Sequence, residues 1–243
     1  MTAQLRAVFF DIDDTLYSTS EFAALARRNG IEAMRRYGLR LPTEMLLKEL
    51  EEVIAEFSTN YEHHFDKLLL RMPRRAYAGV NPGLLIAAGV SAYHDTKMSH
   101  LQPFPDAVDA LTRLADTDLI RGIITAGLEV KQSEKIIRLK IYDLLTPTAI
   151  FISDQIGVSK PNPKLYLKAC EETGIRPGEA MYVGDHPVND IDPPNSIGMI
   201  TVRQRRGGRH QNEPSATPPT HEIRDFQELL EILKTTYGVA IKT

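Results

Sequence analysis

Four short apolar runs are spaced along this chain, and each leads to a polar residue. Ala7-Val8-Phe9-Phe10 runs into Asp11-Ile12-Asp13-Asp14-Thr15-Leu16, and the run from Leu119 to Ile124 ends on Thr125. Ala149 to Ile152 precedes Lys160, and Ala180 to Val183 leads to Gly184-Asp185, with Asp190 further on. Short apolar runs separated by helical stretches read as buried strands. Strands alternating with helices imply an α/β fold, a doubly wound and mainly parallel sheet whose sites gather at the carboxyl ends of its strands.

The alternation is interrupted once. From about Ser18 to Ser99 the pattern is helix after helix. Ser18-x-x-Glu21 reads as a capping box and Gly38 as a helix stop. Leu46, Leu47, Leu50, Val53, Ile54 and Phe57 recur at helical spacing; Tyr61, Phe65, Leu68 and Leu69 continue it, and Asn81-Pro82 reads as another helix start. The prolines of His100 to Pro105 then break the pattern. Helices are expected around Val108 to Leu114, Glu129 to Lys140 and Pro163 to Thr173. A fifth strand is expected at Met199 to Val202, and a last helix opens at Asp225-x-x-Glu228. Residues 1–16 and 103–243 are therefore expected to form a Rossmann-like core, and 17–102 an inserted helical cap domain.

Composition narrows the partners. A chain of 243 residues, 42% hydrophobic and 25% charged, with a formal charge of −3, has no overall pull toward nucleic acid or membrane. Cys170 is the only cysteine and sits on the apolar side of a helix, which suits core packing rather than a disulfide. No signal-peptide pattern opens the sequence and no apolar run approaches the ~20 residues of a membrane span, so a cytoplasmic protein is expected. The segment Arg203 to His210 and the proline-bearing run to Thr220 read as a solvated polar loop, with anion or weak RNA contact as the alternative. It has no aromatic platform, and no nucleic acid partner is expected.

The polar residues suit metal-assisted phosphoryl transfer. Asp11, delivered at the tip of the first strand, is the candidate nucleophile toward phosphorus. Asp13 is positioned to protonate the leaving alkoxide and later to deprotonate water. A carboxylate and a phosphate repel each other unless a hard cation intervenes, and Mg²⁺ prefers oxygen ligands. Asp11 and Asp185 are its natural carboxylate ligands, with the backbone carbonyl of Asp13 as a third. Thr125 can donate to a phosphoryl oxygen, joined by the N–H groups of Ala126 and Gly127. Lys160 offsets charge on the phosphoryl group and on Asp11. Asp190 either binds a metal-bound water or holds Lys160.

Asp11 to Leu16, Ile124-Thr125, Ser159-Lys160-Pro-Asn-Pro-Lys164 and Val183-Gly-Asp-His-Pro-Val-Asn-Asp190 resemble the four motifs of the haloacid-dehalogenase superfamily. The resemblance covers nearly the whole chain, including an insertion right after the first motif. Thr19 to Met34 and Gly89 to Lys97 are similar to archaeal and bacterial phosphatase-like members, for which glyceraldehyde 3-phosphate is among the proposed substrates. By matching position, the resemblance implies Asp11 as nucleophile, Asp13 as acid/base, Thr125 and Lys160 on the phosphoryl group, and Asp185 and Asp190 on Mg²⁺. Dehalogenases of the superfamily lack an aspartate two residues after the nucleophile, so Asp13 favours a phosphatase or phosphomutase. Two departures stand out: Pro193-Pro194 where a Gly-Ala pair is usual, and His186-Pro187 within the fourth motif.

In capped relatives, selectivity comes largely from the cap. Tyr17, Ser18, His63, His64, Arg71, Arg74, Arg75, His94 and Lys97 are the candidates for substrate contact. A phospho-accepting signalling receiver is the rival from another class. Receivers also gather acids, a Thr and a Lys on a parallel sheet, but in a different order and without an insertion. The expectation is a Mg²⁺-dependent phosphomonoesterase acting on a small phosphorylated metabolite through an aspartyl-phosphate.

Overall fold

The computed structural model describes residues 4–57, 61–208 and 210–242. In chain order its elements are β1 (Ala7–Phe10), α1 (Thr19–Arg36), α2 (Thr43–Phe57), α3 (His64–Arg71), α4 (Pro82–His100) and α5 (Pro105–Ala115). There follow β2 (Ile120–Thr125), α6 (Glu129–Arg138), β3 (Ile150–Ile152), α7 (Ser153–Ile156), α8 (Lys164–Glu172) and β4 (Ala180–Gly184). The chain ends with α9 (Asp192–Ser196), β5 (Ile200–Gln204), β6 (His221–Ile223) and α10 (Phe226–Thr235).

The strands form one six-stranded sheet in the order β3-β2-β1-β4-β5-β6, and every pairing is parallel. Alternate side chains of β1 enter opposite layers. Val8 and Phe10 pack with Leu111, Leu114, Phe226 and Leu229, whereas Ala7 and Phe9 pack with Leu165, Tyr166, Ala169 and Tyr182. Both faces are covered by helices, which is why β1 is apolar without alternation. Burying each phenylalanine is worth ~1.5–3 kcal/mol. Gly122 in β2 lets this packing close: a Cβ there would lie 2.5 Å from both the Ala149 carbonyl oxygen and the Phe9 ring. Cys170 is buried in the second layer, as its helical position implied.

Strand order reverses at β1, which has β2 on one side and β4 on the other. In register, Phe10 faces Ile123 on one neighbour and Val183 on the other, so the residues just beyond all three strands share one edge. This is the topological switch point of an open parallel sheet.

The chain divides into two compact units, residues 1–20 with 101–243, and residues 21–100. The second has its own core, in which Ile31, Met34, Leu46, Leu50, Phe65, Leu68 and Leu85 are buried together. Gly38, at φ +116°, ends α1, and the N–H of Leu39 returns to the Met34 carbonyl. The expected Ser18/Glu21 box involves a side chain, Glu21, outside the described residues. The start of α1 is held from further back: Asp14 accepts from the Thr19 N–H at 2.7 Å and from its hydroxyl. Asp225 caps α10 by accepting from the Glu228 N–H at 2.9 Å. Among the described residues, no helix is long and apolar enough to cross a membrane.

The reading of residues 203–210 as a solvated loop needs correction. Arg203 and Gln204 belong to β5 and are buried. Arg203 donates to the carbonyls of His210 and Glu213 at 2.9 and 2.6 Å. Arg206 pairs with Asp106 and lies 4.2 Å over the Phe104 ring. Arg205 pairs with Glu222 on β6. These cations tie β5, β6 and the loop together; Arg209 lies outside the described residues.

Candidate active site

Asp11 stands one residue past β1, and its own N–H bonds the Val183 carbonyl of β4 at 2.9 Å. The backbone therefore fixes where this carboxylate emerges. Lys160 reaches it from the loop between α7 and α8. Its Nζ donates to Asp11 Oδ1 at 2.7 Å, to Asp190 Oδ1 at 2.8 Å and to the Tyr182 hydroxyl at 2.6 Å. All three ammonium donors are thus used, and the lysine side chain is 3% exposed. Tyr182 in turn donates to the Ile124 carbonyl at 2.8 Å.

Asp190 is brought to Lys160 by a π turn over Pro187–Ile191. Its Oδ2 accepts from the His186 N–H at 3.0 Å, and its N–H bonds the His186 carbonyl at 2.7 Å. Gly184 is required here, because a Cβ would lie 2.5 Å from the Asp190 side chain. The two unusual prolines, Pro193 and Pro194, fall in the first turn of the short α9, directly after the π turn.

Carboxylate oxygens of Asp11, Asp185 and Asp190 lie within 4.8 Å of one another, and all three residues are buried. One lysine cannot balance three carboxylates. Asp185 Oδ2 is buried with no hydrogen-bond partner among the described residues. Burial, aggravated by Asp190 and Asp11, pushes the Asp185 carboxyl up to about 9. Burial likewise pushes Asp11 up to about 7, against the pull of Lys160 and with Asp190 and Asp13 adding to the rise. The charge left uncompensated by Lys160 matches that of one divalent cation, and an all-oxygen donor set is what a hard cation takes. Asp11 and Asp185 fit that role; Asp190 is already committed to Lys160 and the His186 N–H.

Asp13 faces other partners. Lys135 on α6 approaches both its oxygens at 2.7 Å, and the Tyr17 hydroxyl donates to Oδ1 at 2.5 Å. Burial alone would raise the Asp13 carboxyl, but the Lys135 charge and the bonds from Lys135, Tyr17 and Gln132 outweigh it and hold the carboxyl below its ordinary value. Thr125 is buried at the end of β2. The next loop is held by Gln132, which donates to the Ala126 carbonyl at 2.9 Å, while the Gly127 N–H already donates to Ser153 Oγ at 2.9 Å. Of the two amides expected to serve phosphate, that of Gly127 has this partner within the fold.

Three of the expected substrate contacts on the helical insertion have partners within their own unit. Arg71 pairs with Glu49 and Glu56, Arg74 lies 5.7 Å over Tyr77, and His63 is 3.7 Å from Asp66. Tyr17, expected near substrate, uses its hydroxyl on Asp13. A second cluster, His186, His210 and Glu213, also brings ligand-type atoms together. Its two rings stack at 3.9 Å with planes 25° apart, so their in-plane lone pairs run side by side rather than toward one ion.

Lys135, Gln132, Tyr182 and Ser153 were not singled out from the sequence. The first two left a signal. Gln132, Lys135 and Ile136 of α6, with Leu139 just past its end, fall at i, i+3, i+4 and i+7, so two polar residues share its inward stripe.

A parallel α/β sheet carrying a carboxylate–lysine centre at its switch point defines an enzyme of the phosphoryl-transfer and hydrolase kind. The match of residues 8–203 to the haloacid dehalogenase-like hydrolase model agrees, and the chain belongs to that family. It groups with members named phosphatases. A glyceraldehyde 3-phosphate phosphatase from Methanopyrus kandleri is 45% identical, covering 95% of this chain and 97% of the relative. A protein of the same name from Pyrococcus abyssi is 41% identical over 96% of each chain. A solved HAD phosphatase from Thermococcus onnurineus shares the fold, with a TM-score of 0.67, 24% identity, and 94% of this chain and 98% of that one covered.

Proposed function

We propose that this enzyme is a Mg²⁺-dependent phosphomonoesterase that cleaves a small phosphorylated metabolite, a triose phosphate foremost, through an aspartyl-phosphate on Asp11. The observation that carries the reading is the buried Asp11–Lys160–Asp190 network beside the partnerless Asp185 oxygen. The triose rests on the names of the relatives. Residues 1–16 and 103–243, which supply every member of the network, are read as the catalytic core, and 17–102 as the inserted cap.

Asp11 attacks phosphorus in line, and Lys160 fixes its rotation by holding Oδ1. As the ester oxygen departs, Asp13 in its protonated form, the minor one under the pull of Lys135, gives it a proton; as the carboxylate it then takes one from water as that water attacks the phosphorus of the aspartyl-phosphate. Thr125 donates to an equatorial oxygen, and Lys160, its three donors engaged, offsets the phosphoryl charge as a nearby point charge. Asp11, Asp185 and the Asp13 carbonyl would hold Mg²⁺, whose positive charge would keep Asp11 anionic and let a phosphate approach. Phosphate release from triose phosphates, sugar phosphates, phosphoglycolate and nucleoside monophosphates, with Mg²⁺ and with chelator, tests this. Metal-dependent release led by a triose phosphate is expected; release that ignores the chelator contradicts it.

Metal and pH should be linked in stability. Asp11 and Asp185 bind protons more tightly folded than unfolded, since about 7 and about 9 exceed the ordinary 3.8. Without metal, their stabilising contribution is present below about pH 4 and is lost toward pH 7 and 9 respectively. A divalent cation favours the anions and reverses that loss. At ~100-fold over Kd it should add ~2.7 kcal/mol, or roughly 5–10 °C in Tm, near pH 8, and little near pH 5. Thermal scans with and without Mg²⁺ at the two pH values check this; a pH-independent shift would contradict it.

A further inference from the structure

Building on the acid/base reading of Asp13, we propose that Lys135 is a positioning residue that aims the Asp13 carboxylate at the leaving-group oxygen. Lys135 Nζ is 2.7 Å from both oxygens of Asp13, so it lies on the bisector of the carboxylate. Tyr17 holds Oδ1 from a second direction. Together these contacts remove the free rotation that an aspartate on a loop otherwise keeps.

The lysine is itself supported. Its side chain is 14% exposed, against 34% for Asp13, so the pair is shielded far more than a surface ion pair. It sits on the inward stripe of α6 next to the buried Ile136 and Leu139. One turn earlier Gln132, 5% exposed, holds the Ala126 carbonyl. A Cβ on Gly127 would come within 2.5 Å of the Gln132 amide nitrogen, so that loop and helix are fitted closely. One helix therefore sets both the loop after β2 and the acid/base after β1, at residues three apart. Lys160 serves Asp11 and Asp190, while Lys135 serves Asp13; the two cations divide the site between them.

An ordinary structural ion pair at this place would lower stability or slow all substrates alike. A group that aims the general acid affects only those whose leaving oxygen needs a proton. The test compares kcat/KM, which reports steps through departure of the leaving group, for glycerol 3-phosphate and p-nitrophenyl phosphate. An alkoxide departs only with a proton, whereas p-nitrophenolate departs without one. Lys135→Met, which keeps the aliphatic stem, should lose about 10²-fold on the alkyl ester and less than about 3-fold on the aryl ester. Lys135→Arg should recover most of the alkyl loss, and Lys135→Gln should not. Equal losses on both esters, or none, would overturn the role of Lys135. Asp13→Asn runs alongside. If it too shows no preference for the alkyl ester, the acid/base reading has failed; if it shows one and Lys135→Met does not, only the assignment of Lys135 has.

Discussion

Replacing Asp11 with asparagine should reduce turnover by about 10⁴-fold or more while the protein stays folded. The amide is nearly isosteric but cannot form an acyl phosphate. The folded state has reason to tolerate the change. Burial, with Asp190 and Asp13 adding to it, already works against the Asp11 anion, and Lys160 keeps Asp190 and Tyr182 as partners. Tm should therefore hold or rise slightly. Phosphate release together with a thermal scan checks both halves; substantial residual turnover would remove Asp11 from the chemistry.

Lys160→Met should do the opposite to stability. Removing the only cation among the described residues within bonding distance of Asp11 and Asp190 leaves buried carboxylates facing one another. Breaking a buried pair in this way costs ~3–5 kcal/mol. In a chain of this length that is roughly a 10 °C fall in Tm. Activity should be lost as well, since Asp11 then drifts toward its neutral form. Mg²⁺ should recover part of the Tm but not the activity, because it restores charge without restoring the hold on Asp11 Oδ1. A loss of less than about 1 kcal/mol by chemical denaturation would mean that the network is not the electrostatic keystone proposed here.

The strands at the centre of the sheet were legible because burial on both faces forces continuous apolar runs, as in Ala7 to Phe10 and Ala180 to Val183. The polar residues after them converge because parallel strands in register deliver their ends to one edge. β6 was not legible. It is a three-residue edge strand, His-Glu-Ile, with only Ile223 buried, and it shows neither an apolar run nor a clear alternation. Arg203 misled for a related reason: an arginine reads as solvent-facing, yet its guanidinium is met by two loop carbonyls that only the folded chain brings near. Lys135 was hidden among other charges of α6, since Lys131, Glu134 and Arg138 surround it in sequence. What distinguishes it is the direction of one side chain toward a residue far along the chain, and helical periodicity alone does not name such a partner.

The most direct test of the account is chemical trapping of the covalent intermediate. The enzyme would be quenched during turnover of a triose phosphate with Mg²⁺, treated with borohydride, which reduces an acyl phosphate to an alcohol, and mapped by peptide mass. The account predicts conversion of aspartate to homoserine at position 11, dependent on substrate and abolished by chelator. An unmodified Asp11 under steady turnover, or reduction at Asp13, Asp185 or Asp190 instead, would contradict it.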